Sequence, residues 1–133
     1  MVAQGCKGTW LKAITVYYRQ HESSATKGNP AEQAANAELM QDCFFARPDI
    51  PESMRRLEAQ SRYGFLVWIA GVLYQANCIT EAMSYLRKSL EYTPYNWSET
   101  IARWVDSFRN SAELNACPFD AYALSKLPQW QEL

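Results

Sequence analysis

The sequence predicts an all-α fold of about six helices in antiparallel pairs, and three observations lead there. Apolar residues recur at three- and four-residue steps along most of the chain, the spacing that puts them on one stripe of a helix. No segment shows the strict alternation of a half-buried strand. Between the periodic stretches stand caps, prolines and small polar residues that start and stop helices. The 133 residues fit one domain, 1–133, long enough to bury roughly two-thirds of its unfolded surface.

The elements follow in order. From Gly8 to His21 the residues Trp10, Leu11, Ile14, Tyr17 and Tyr18 share a stripe, with Thr9 as a cap. Residues 21–30 gather small polar residues with Gly28 and Pro30 and read as a long loop. Asn29 as cap and Pro30 at the first helical position open a helix to Ala46, with Ala35, Leu39 and Cys43 inward and Met40 and Phe44 alongside. Pro48 and Pro51 close it. The next helix begins at Pro51 and either runs to Ala76 or breaks between Ser61 and Gly64. Its second half carries a broad apolar face of Phe65, Trp68, Ile69, Val72, Leu73 and Ala76. Asn77 suits a left-handed helix end, Thr80 caps the following helix, and Glu81–Tyr92 buries Ala82, Tyr85, Leu86, Ser89 and Leu90. Thr93-Pro94 ends it. Asn96–Asn110 repeats the scheme with Trp97, Ile101, Trp104, Val105 and Phe108, an irregular connection covers 110–118, and Asp120–Leu127 makes a short last helix.

Composition excludes several functions. A formal net charge of −1 lacks the basic excess that nucleic-acid binding requires, so neither DNA nor RNA is an expected partner. Phe65–Tyr74, the longest apolar run, is about half the roughly 20 residues of a membrane span and suits a buried helix. Met1–Gly8 carries no charged-then-apolar leader, which sets a cytoplasmic expectation. Cys6, Cys43, Cys78 and Cys117 form no C-x-x-C pair and have no histidine beside them, so no metal or other cofactor is expected.

No catalytic constellation is visible. His21, the single histidine, sits at a helix end where its charge favours the dipole. No serine or threonine lies in a nucleophile-elbow context, the glycines form no phosphate loop, and Asn96-Trp97-Ser98 is a formal glycosylation sequon in a chain with no expected export. The chain by itself is therefore read as non-enzymatic.

An internal match is present: Trp10-x-x-Ala13-Ile14-x-x-Tyr17 against Trp97-x-x-Thr100-Ile101-x-x-Trp104. Leu66-x-x-Ile69-Ala70-x-x-Leu73, then Ala82-x-x-x-Leu86-x-x-Ser89 and Pro94, follows a related register. Residues 62–94 thereby resemble a tetratricopeptide repeat, with units about 8–48 and 96–128 as degenerate flanks; Asn36 replaces the small residue expected in the first. The resemblance implies a right-handed stack whose inner groove binds a protein or peptide partner. On the first helix of each unit, the face turned from its partner gives Leu11, Thr15, Tyr18 and Arg19, then Val67, Gly71, Tyr74 and Gln75, then Ser98, Ala102 and Asp106. Within that set Tyr18, Arg19, Val67, Gly71, Tyr74, Gln75 and Asp106 are the candidate binding residues. Gly71 is expected to admit a ligand backbone and Arg19 to hold a carboxylate.

Residues 51–130 also resemble the helical tail that follows the catalytic domain of some bacterial family-2 glycosyltransferases. This implies an accessory part of a larger sugar-transferring enzyme, contributing to acceptor binding or assembly. The D-x-D carboxylate pair of such enzymes does not occur here. Two readings follow, a scaffolding module, whether whole or a piece of a larger protein, and an enzyme's accessory domain. A homodimer through exposed repeat ends is a third.

Overall fold

The structure is a computed structural model and describes residues 29–133, so the expected first helix over 8–21 lies outside the described residues. Within them the fold is all-α, with seven helices: α1 (Pro30–Phe45), α2 (Glu52–Arg55), α3 (Glu58–Gln75), α4 (Ile79–Ser89), α5 (Trp97–Leu114), α6 (Ala121–Ser125) and α7 (Pro128–Gln131). No strand occurs among the described residues.

Helix α3 is the centre. It is apolar around most of its circumference, and a helix of that kind must be covered on several sides. Helix α4 packs against one flank, α5 against another and α1 against a third, while α7 closes on α4. Ala70, Leu73, Ala82 and Leu86 are fully buried where α3 and α4 meet. The small side chains of Ala70 and Ala82 let the two helices approach closely, and Leu73 and Leu86 fill the space beside them.

The turn between α3 and α4 closes in a Schellman arrangement. Cys78 N–H donates to Leu73 O at 2.9 Å, Asn77 N–H donates to Tyr74 O at 3.0 Å, and Asn77 takes φ 60°. Helix α5 ends the same way, with Cys117 N–H on Ala112 O at 2.9 Å and Ala116 N–H on Glu113 O at 3.1 Å, but the left-handed residue is Ala116, φ 53°. Asparagine tolerates that conformation better than alanine does. Side-chain oxygens cap three starts: Asn29 on Glu32 N–H, Asn96 on Glu99 N–H, and Asp120 on the N–H groups of Tyr122 and Ala123.

Four boundaries differ from expectation. Helix α4 starts at Ile79 with Cys78 as its cap, because the Schellman turn delivers the chain into helical geometry before Thr80. Helix α5 continues to Leu114, with Phe108 and Ala112 fully buried on its inner face, so the expected irregular connection shrinks. A separate α7 follows Pro128 and brings Trp130 against Trp104 and Phe108, with ring centroids 6.1 and 6.3 Å apart. The 51–76 segment breaks at Arg56–Leu57, while Ser61 and Gly64 stay inside α3. Arg55 explains the placement of α2: its guanidinium donates to Phe45 O (3.2 Å) and Arg47 O (3.0 Å), satisfying carbonyls that the end of α1 leaves free.

Helix α1 turns a different face inward from the one expected. Ala34 and Phe45 are buried and Ala37 half-buried, whereas Leu39 (58% exposed), Met40 (60%), Ala35 and Cys43 face outward. An alanine face lets α1 sit close to α3, and polar contacts rather than bulk hold it. Gln41 Nε2 donates to Ser61 Oγ at 3.0 Å, Arg62 Nη1 to Asp42 at 2.6 Å, and Lys88 Nζ to Glu38 at 2.9 Å.

Between α4 and α5 the core carries a polar chain. Trp104 Nε1 donates to Ser89 Oγ at 3.2 Å, and Ser89 Oγ donates to Leu86 O at 2.7 Å, all in full burial. Ser89→Ala leaves the indole N–H without an acceptor, and a buried unsatisfied donor costs about 1–3 kcal/mol. Urea titration is expected to show a loss of that size, with the slope of the transition unchanged.

Candidate functional site

A groove of about 460 Å³ runs between α3 and α5. Its floor forms where the two helices cross closely. A Cβ built on Gly71 would lie 3.4 Å from Ser107 O and from Ser111 Cβ, and Ser107 Oγ donates to Val67 O at 3.3 Å. Small residues on both helices permit that approach. Trp68 stands on the α3 rim, 52% exposed and stacked on Phe65 at 5.7 Å, and Leu114 on the α5 rim is 85% exposed. Gly64 leaves open space on the groove side, where a Cβ would meet nothing within 4 Å beyond its own stretch of helix.

The groove is polar toward the start of α5. Arg103 donates to Glu99 at 3.0 Å, and its guanidinium lies 3.7 Å from the centroid of the Tyr95 ring. Asp106 pairs with Arg109, and Asn110 completes that side. Each charge thus has a counter-charge, and an occupant meets two apolar rims with a nearly neutral polar wall. Tyr63 lines the same wall. Its hydroxyl is buried without a hydrogen-bond partner among the described residues. Burial raises its pKa, and the nearby Thr93 and Arg103 offset only part of that.

Of the candidate residues, the structure brings Val67 and Asp106 together in this groove. Gly71 lies under it, buried, and the space expected for a ligand backbone is taken by α5. Tyr74 belongs to the core: its ring stacks on Phe108 at 4.8 Å and meets Phe119 edge-on, and burial raises its pKa, helped by the charge of Asp120. Gln75 lies elsewhere, on a surface shared with Pro30, Val72, Asn115 and Cys117. Tyr18 and Arg19 lie outside the described residues. Sequence reasoning missed Trp68, assigned to the apolar inward face, and the set Arg103, Ser107, Asn110, Leu114. The steps of four, three and four in that set carried the signal, but the helix was expected to stop at Asn110.

A second groove, where α1 meets α3 and α4, is a clamp. Glu38, Asp42, Arg62 and Lys88 line it and are paired with one another, and Arg62 also holds Glu58 at 2.8 Å and lies over Phe45 and Tyr92. Burial would lower the pKa of Arg62, but the bonds and charges of Asp42 and Glu58 prevail and raise it. Tyr85 packs against this clamp, and burial first, then the neighbouring Glu38, push its phenol up to about 12.

Compared with protein-family models, with curated proteins and with solved structures, the chain returns no match. Among the described residues no helix is long and apolar enough to cross a membrane, and no group of three or more His, Cys, Asp or Glu is placed to hold a metal ion.

The shift of Tyr85 generates a prediction. Below pH 10 its phenol is protonated both folded and unfolded, and its contribution is complete. Between pH 10 and about 12 only the unfolded chain loses the proton, so stability falls as pH rises. A fall of about 1–3 kcal/mol is expected over that window. Tyr85→Phe should make the measured curve of stability against pH flatter there.

Proposed function

We propose that this chain is a non-catalytic helical module for protein–protein interaction, and that its α3/α5 groove receives a peptide or a helix of a partner. The observation that carries the reading is the pair of large apolar side chains, Trp68 and Leu114, left half or more exposed on facing rims of one open groove. Aromatic anchors beside a polar wall are what peptide-binding surfaces use, because a ring buries much area at little entropic cost. The internally paired charges of Arg103 and Asp106 supply hydrogen bonds without selecting a strongly charged ligand. Stacking of helix pairs in the manner of tetratricopeptide repeats belongs to the same proposal. It is supported by the way α3 packs against both its hairpin partner α4 and the next long helix α5.

The test uses a displayed library of peptides about a dozen residues long, selected on the protein and then measured by fluorescence anisotropy. Selected peptides are expected to lose at least tenfold in affinity for Trp68→Ala combined with Leu114→Ala, and for Asp106→Arg. Both rims are exposed, so the variants should unfold within roughly 0.5 kcal/mol of the parent. Peptides that bind the double variant unchanged, or a selection that enriches none, would sink the reading.

A further inference from the structure

The two glycines of α3 stand in opposite situations. At Gly71 the fold itself asks for glycine, because α5 comes so close that a Cβ would lie 3.4 Å from Ser107 O and from Ser111 Cβ. Gly64, about two turns earlier, has no such reason. Among the described residues a Cβ there would meet nothing within 4 Å beyond its own stretch of helix, and the residue sits inside α3 with helical backbone. Glycine inside a helix is less favourable than alanine, since it gives up more backbone freedom on folding and packs nothing. No contact among the described residues offsets that loss.

We infer that Gly64 is the specificity-determining residue of the α3/α5 groove, and that the partner peptide lays one large apolar side chain against it. The inference rests on the reading of this groove as a peptide site. Gly64 is exposed and lines the groove. Trp68 lies one turn further along the same stripe of α3, more than half exposed, and also lines a smaller apolar groove between α1 and α3. Tyr63 and Val67, on the adjoining stripe, are buried beside it.

The missing side chain therefore makes a hole in the helix surface, bordered on α3 by rings and aliphatic carbon. A large apolar side chain seated there covers apolar surface beside Trp68 and displaces water from it. A charged one would give up hydration without gaining a free counter-charge, because Arg103 already holds Glu99 and Asp106 holds Arg109.

Peptides selected on the parent protein supply the test, with anisotropy for affinity and urea titration of the free chain for stability. Gly64→Ala is expected to raise the urea midpoint by roughly 0.5 M and yet to weaken the peptides at least threefold. Gly64→Leu should weaken them at least tenfold. Trimming the peptide's key apolar residue to alanine should lose at least tenfold on the parent, and the trimmed peptide should bind Gly64→Leu at least as tightly as it binds the parent. Peptides that bind both Gly64 variants unchanged, while still failing on Trp68→Ala combined with Leu114→Ala, would overturn the inference and leave the peptide reading standing. A selection that enriches no peptide would overturn both. A lower urea midpoint for Gly64→Ala would overturn the inference as well, because the space over Gly64 would then be filled by the chain itself.

Discussion

Everything in this fold answers to the demand of one helix. Helix α3 carries apolar side chains on nearly every face, with Leu66, Val67, Ile69, Ala70 and Leu73 all buried, and leaving any flank open would expose several of them to water. The chain meets this by bringing α4 back through a tight Schellman turn, by laying α5 across the Gly71 side, and by holding α1 on a third flank. What each covering helix uses differs, and the differences decide where function can reside.

The α3/α4 contact is a matter of shape. Its alanines and leucines interlock, and a single polar chain through Ser89 fixes Trp104 of the next helix against it. The α3/α5 contact is a matter of smallness, since Gly71, Ser107 and Ser111 draw the helix axes together at one level. Beyond that level the helices stand far enough apart to leave the groove that Trp68 and Leu114 border. The α1 contact is electrostatic. Exposed ion pairs contribute little apiece, but the guanidinium of Arg62 is largely shielded, holds Asp42 and Glu58 together and lies over Phe45 and Tyr92, while Lys88 adds a separate pair to Glu38 beside the Tyr85 ring.

These differences also account for what could be read in the sequence. Helices α4 and α5 were legible because their apolar and polar residues separate cleanly around the helix: Ala82, Tyr85, Leu86 and Ser89 inside, Arg87 and Lys88 outside. Asn77 was legible because so few residues accept φ above zero. Helix α1 was misread in facing. It offers two candidate stripes, one of alanines and one of larger residues, and burial favoured the face that fits closely over the face with more carbon. The break at Arg56–Leu57 has no glycine or proline to mark it. Its cause is the distant need of α1 for a cap, met by Arg55, and no local pattern records that.

The candidate site shows the same limit in a more useful form. Val67 and Asp106 were placed on the inner face by periodicity alone, and the structure does set them in one groove. Periodicity also placed Gly71 and Tyr74 there, because it reports which residues share a stripe without saying how close the next helix comes. At Gly71 the next helix arrives, and the stripe becomes floor. At Trp68 no described helix arrives, so a residue that reads as core by type stands half exposed between two grooves. Phe65 stacks on one face of this tryptophan, and among the described residues it is the large apolar side chain of α3 that stays more than half exposed. The other large apolar side chains of α3 are buried or half-buried, so the exposed face of Trp68 is where the physical demand that organises the fold is least fully met by the described residues.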